Sequence, residues 1–178
     1  MKCGIVLTSF RSLMVLLVLA SAVLAFGGNL FVETGGGIRL PNEEYVPDGS
    51  LVQLIYAGDN GEVDPPNADS EAGPLGAPTA DDTLIATTEV GYGYLGDSQG
   101  NFNKLFTSTS IKVNAPVYIR VWNSIGAPTL NTLYGNTPVY VVTAADLSEV
   151  YTVQPFMLEN ELSDDPVLGG YLVIQSTT

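Results

Sequence analysis

An all-β fold is what this 178-residue sequence predicts: two antiparallel sheets packed face to face, Ig-like or jelly-roll-like, with about eight strands. Three observations carry the prediction. After the first 25 residues, no stretch sustains a helical period; short runs of Val, Ile, Tyr, Thr and Phe alternate with Gly, Pro, Asn and Asp. The run 116–122, Pro-Val-Tyr-Ile-Arg-Val-Trp, puts Val117, Ile119 and Val121 on one face and Tyr118, Arg120 and Trp122 on the other. The run 51–57 is apolar on both faces except at Gln53, which places it centrally in a sheet.

The elements follow in order. Residues 1–25 read as a signal-peptide helix: Lys2 and Arg11, an apolar run over 13–26, and small Val23 and Ala25 before a cut after Ala25. That run of about 14 residues is short of the ~20 that span a bilayer. Residues 26–178 then form the β-sandwich domain, with strands expected at 29–33, 37–40, 51–57, 83–92, 101–109, 116–123, 137–143, 150–154 and 170–175, and a further short run at 156–159. Phe102 and Phe106 share a face across Lys104, and Glu89 is a solvent-facing strand residue. Residues 131–134 read as loop with a short edge, and 144–147 as one helical turn capped by Thr143. Asn114-Ala-Pro-Val-Tyr-Ile and Asn136-Thr-Pro-Val-Tyr-Val enter two strands by the same turn chemistry, which suggests neighbours. Gly35-Gly36-Gly37 reads as a flexible joint behind an N-terminal arm over 26–40.

Without residues 1–25 the chain keeps four of its six cations (Arg39, Lys104, Lys112, Arg120) against all nineteen acids, a formal charge of −15, and no cysteine. So acidic a surface argues against nucleic acid and anionic membranes as partners, and suits an exported chain, extracellular or at the cell surface, not inserted in a membrane. With no His in the chain and Cys3 in the leader, a Ser-His-Asp relay, a Cys nucleophile and an ordinary zinc or copper site are excluded. No Gly-rich loop followed by Lys-Ser/Thr is present for phosphate. A carboxylate pair is the remaining route to catalysis, and nineteen acids give such a pair no specificity.

Two candidate sites emerge. Residues 58–82 make a loop of about 25 residues, far beyond the usual ~4–6. Its Asp59, Asn60, Asp64, Asp69, Asp81 and Asp82, with Asn67 and Glu71, offer the hard oxygen ligands calcium takes, though not in EF-hand spacing; a solvated acidic loop is the alternative. The second is the Tyr118, Arg120 and Trp122 face, which could stack on carbohydrate rings if open, or be covered by another layer.

Segments 48–58 (Asp-Gly-Ser-Leu-Val-Gln-Leu-Ile-Tyr-Ala-Gly), 100–106 (Gly-Asn-Phe-Asn-Lys-Leu-Phe) and 117–123 (Val-Tyr-Ile-Arg-Val-Trp-Asn) together resemble secreted bacterial Ig-like or carbohydrate-module-like β-sandwiches of cell-surface proteins. The resemblance covers about half of the chain after the leader and consists of strands and turns. It implies an extracellular sandwich, no catalytic motif and no defined ligand. The functional expectation is a secreted, non-enzymatic structural or adhesive module that self-assembles or binds another surface protein by strand addition. The alternatives are a calcium-stabilised carbohydrate-binding module and a carboxylate-based hydrolase.

Overall fold

A computed structural model describes residues 28–93, 99–147 and 150–163. The expected signal peptide and the strand at 170–175 lie outside the described residues. Among the described residues there are nine strands: β1 (Gly28–Thr34), β2 (Ser50–Tyr56), β3 (Thr83–Glu89), β4 (Asn103–Ser108), β5 (Pro116–Ile125), β6 (Leu133–Asn136), β7 (Tyr140–Val141), β8 (Val150–Val153) and β9 (Asn160–Glu161). They make two sheets, a three-stranded β4-β1-β8 and a six-stranded β3-β2-β5-β6-β9 in which β7 also pairs β5. The all-β sandwich is thus the observed fold. Among the described residues there is no helix, and none that could cross a membrane.

Pattern explains most placements. β5 sends Val117, Ile119 and Val121 into the core between the sheets, where they meet Val52 and Leu54 of β2, Leu30 and Val32 of β1, and Phe102 and Phe106. Burial of each such side chain stabilises the fold by about 1.5–3 kcal/mol. β2 lies centrally between β3 and β5, as its two apolar faces require. β7 pairs β5 through Pro116↔Val141 and Val117↔Tyr140, so the two Pro-Val-Tyr segments are neighbours. Glu89 stands exposed on β3, which among the described residues pairs with β2 alone.

Four expectations are corrected. The small sheet is not wholly antiparallel: β1 runs antiparallel to β4 but parallel to β8, with Val32 opposite Tyr151. Residues 37–40 contribute only isolated bridges, Arg39 to Tyr45 and to Met157. The short edge expected within the loop at 131–134 is instead a strand with two neighbours: β6 lies between β5 and β9 and includes Gly135, where a side chain would stand 2.9 Å from the Met157 carbonyl. Residues 144–147 form turns without a helix; Asp146 accepts bonds from Thr143 N and Oγ1, and that side-chain clasp replaces the helical ladder.

The glycines at 35–37 are packed, not a swivel. A Cβ on Gly35 would lie 2.9 Å from Thr152 Cγ2, one on Gly36 2.6 Å from Pro155 Cγ, and one on Gly37 would overlap the Gln99 carbonyl and the Tyr45 ring. None of the three needs a positive φ; close approach is what demands glycine there.

Candidate functional site

The outer face of the six-stranded sheet carries a polar and aromatic layer built by register. Gln53 of β2, Arg120 of β5 and Asn136 of β6 stand in one cross-strand row, flanked by Ile55↔Tyr118 and Trp122↔Tyr134. Period-two alternation puts these side chains opposite the valines of the core. They do not face solvent: Tyr118 is 1 % exposed, and Arg120 and Trp122 are 0 % exposed. The open aromatic strip expected for a sugar is therefore not what the fold presents, because the 58–82 loop folds back over it.

The loop seats on this layer through specific contacts. Gly76 lies against the indole; a Cβ there would stand 2.9 Å from Trp122 Cζ2, and its φ of +76° also suits glycine. Trp122 Nε1 donates to Gln53 Oε1 at 2.8 Å, and Gln53 Nε2 donates to the Gly76 carbonyl at 3.3 Å. Arg120 Nε donates to Asn136 Oδ1 at 2.7 Å, while Nη2 donates to the Asp64 carbonyl at 2.6 Å and to Tyr118 Oη at 3.2 Å. Tyr118 Oη donates to Asp82 Oδ2 at 2.6 Å, and the Asp64 amide donates to the same oxygen at 3.0 Å. Val63 packs on Tyr118, Ile55 and Ala57 to form a small apolar cluster beside the polar row.

The expected calcium ligands go three ways. Asp81 accepts from Asp59 N (2.9 Å), Asn60 N (3.3 Å) and Asn60 Nδ2 (3.0 Å), and so ties the two ends of the loop together. Asp82 and Asp64 lie beneath, against Tyr118 and Arg120. Asp69 sits apart, in a small turn where its Oδ1 accepts from Glu71 N and Asn67 accepts its amide. Among the described residues no group of three or more carboxylates is arranged to hold a metal ion. The loop is folded on its own hydrogen bonds, with Asn67 N to Ala77 O and Gly76 N to Asn67 O both at 2.8 Å.

Burial and local charge tune these groups. Desolvation pushes the Tyr118 hydroxyl well above the ordinary tyrosine range and its bond to Asp82 adds to the rise, with the Arg120 charge opposing. Desolvation lowers the Arg120 pKa, opposed by the phenolic and carboxylate groups around it. Asp64 is raised by desolvation and then by the Asp82 and Asp81 charges. Asp81 is lowered, chiefly by the Asn60 amide, with the Asp59 amide in support. Three buried atoms keep no hydrogen-bond partner in this layer: Asp64 Oδ2, Asp82 Oδ1 and Arg120 Nη1.

A second feature was not singled out by the sequence. Tyr140 and Tyr151 stack at 4.1 Å, and Tyr140 Oη donates to both Asp146 oxygens at 2.8 Å. They line a cavity of about 260 Å³ with Pro138, Pro155, Asn136 and Gln154. Tyr140 was visible in the repeated Pro-Val-Tyr segment, but its meeting with Tyr151 depends on the long-range pairing of β8 with β1. No family model, curated protein or solved structure matches this chain.

Proposed function

We propose that the chain is a secreted, surface-associated structural or adhesive module without enzymatic activity, which joins a second copy or another surface protein by strand addition. The observation that carries this reading is the place of β1. It comes first in the described sequence, yet it fills the slot between β4 and β8, with six residue pairs to β4 and four to β8. Its Leu30 and Val32 are fully buried in the shared core. A first strand can leave without unthreading any other element, and an equivalent strand from a neighbour satisfies the same ladders and core. The four cations against nineteen acids after the leader, and the lack of imidazole, support a role in assembly over catalysis.

The test uses Phe31 and Leu105, which face each other across β1 and β4. In a Cys3→Ser background, Phe31→Cys with Leu105→Cys is oxidised in assembled material and run under denaturing, non-reducing conditions. Exchange of β1 gives a ladder of cross-linked chains. A single cross-linked monomer at every concentration sinks the reading.

A second reading is a carbohydrate module whose platform is the Tyr140–Tyr151 cavity. The observation in its favour is the pair of rings set among amide side chains, the lining that sugar rings and hydroxyls use.

A further inference from the structure

The Asp64–Pro65 peptide bond has surroundings that other loop bonds lack. Its carbonyl oxygen accepts the 2.6 Å bond from Arg120 Nη2, on a side chain that is fully enclosed. Arg120 Nη1, also buried, keeps its N–H groups uncommitted. Within the carboxyl of the same Asp64, which also bonds the Asp81 side chain, Oδ2 is buried and has no partner. The Asp64 amide is held from the other side by Asp82 Oδ2, and Pro65 is exposed to water.

We propose that Asp64–Pro65 is a self-cleavage site, at which the Asp64 carboxylate cuts its own peptide bond while Arg120 holds the charge that develops on the carbonyl oxygen. Oδ2 adds to the Asp64 carbonyl carbon and closes a five-membered ring. The carbonyl electron pair moves to the oxygen facing the guanidinium, which supplies a preorganised cation at that atom. The pair returns, the carbon–nitrogen bond breaks, and the Pro65 nitrogen takes a proton from solvent and leaves as a secondary amine. The new end at Asp64 is a cyclic anhydride, which one water opens to two carboxyl groups. The net reaction consumes one water. Nucleophile and electrophile belong to one residue, so their proximity needs no further device. After the cut the ends stay seated, because Thr79 Oγ1 donates to the Pro65 carbonyl at 2.5 Å and Asp82 holds the Asp64 amide.

Since a cut chain keeps its folded size, the readout is intact mass under denaturing conditions after incubation of the folded full chain near neutral pH. The sequence carries its own reference, Asp165–Pro166, the same dipeptide outside the described residues. The rate after Asp64, divided by the rate after Asp165, is compared between the folded chain and the chain in guanidinium. A ratio about a hundredfold higher in the folded chain is expected, the effect of one oxyanion donor. Asp64→Glu keeps the charge but lengthens the ring, and it removes the fast scission; Arg120→Lys, checked for its fold by circular dichroism, slows it. Absence of a chain beginning at Pro65, an equal ratio in folded and unfolded protein, or undiminished scission in Asp64→Glu would each overturn the proposal.

Discussion

Gly76 rests on the indole of Trp122, so close that even a methyl group at residue 76 would stand 2.9 Å from Cζ2. This contact couples a loop to the middle of a sheet. Gly76→Ala adds both that overlap and a residue forced to φ of +76°. The expected loss is about 1–3 kcal/mol, from overpacking and backbone strain together. Trp122 is the only Trp in the chain, so its fluorescence reports the seat directly. Gly76→Ala should shift the emission to the red and lower the Tm; unchanged emission would mean that the loop is not seated there.

Asp81 should make stability depend on acid. Amides of Asn60 and Asp59 hold its carboxyl below the ordinary range, so its stabilising effect is complete above the unfolded value of about 4 and is lost as the pH falls through the lower folded value. Asp64 has the opposite sign. Desolvation and the neighbouring Asp82 and Asp81 raise it, so its favourable share is present below about 4 and is lost as the pH rises through the higher folded value. Near neutral pH, Asp81→Asn should lower the Tm and Asp64→Asn should raise it, with both differences shrinking in acid. Parallel melting curves across the acid range check the two signs, and a pH-independent difference for either variant refutes its assignment.

Glycines of two kinds should respond differently to alanine. A Cβ on Gly37 would overlap the Gln99 carbonyl and the Tyr45 ring, whereas one on Gly126 meets nothing within 4 Å and carries only the strain of φ +83°. Gly126→Ala should cost about 1–2 kcal/mol from that conformation alone. Gly37→Ala should cost more, because backbone has to move. Chemical denaturation of the two variants ranks them; the reverse order would restore the view of residues 35–37 as a loose joint.

Tyr151 separates the two functional readings. It stacks on Tyr140 beside the cavity, and burial pushes its hydroxyl up to about 12, with Tyr140 and Asp146 contributing. In a carbohydrate module, Tyr151→Ala abolishes retention on a polysaccharide column and leaves the Phe31–Leu105 cross-linking pattern unchanged. Retention that persists in the variant removes the cavity as a sugar site.

The sequence disclosed one side of β5 and left the other open between a bare aromatic platform and a covered layer; the covered one is what the fold holds. Val117, Ile119 and Val121 are buried as their alternation required, and Phe102 and Phe106 turn inward together. The cover over Tyr118, Arg120 and Trp122 was illegible because it is a loop rich in Pro, Gly and acid, a composition shared with disordered segments. What orders it is long-range: Asp81 reaches the amides of Asp59 and Asn60, and Arg120 reaches the Asp64 carbonyl. Acid-rich spacing suggested cation ligation, yet several of those oxygens accept hydrogen bonds from amides and a phenol. The meeting of Tyr140 and Tyr151 was hidden for a similar reason, since strand partners far apart in sequence leave no local trace.

The parallel alignment of β1 with β8 has a consequence for the order of assembly. The small sheet cannot be finished until residues near 150 are available to flank the earliest strand. Loop closure over so long a separation is slow, and it comes after the local hairpins. A chain emerging from a ribosome would therefore leave β1 flanked on one side at most until residues 150–153 had followed it out.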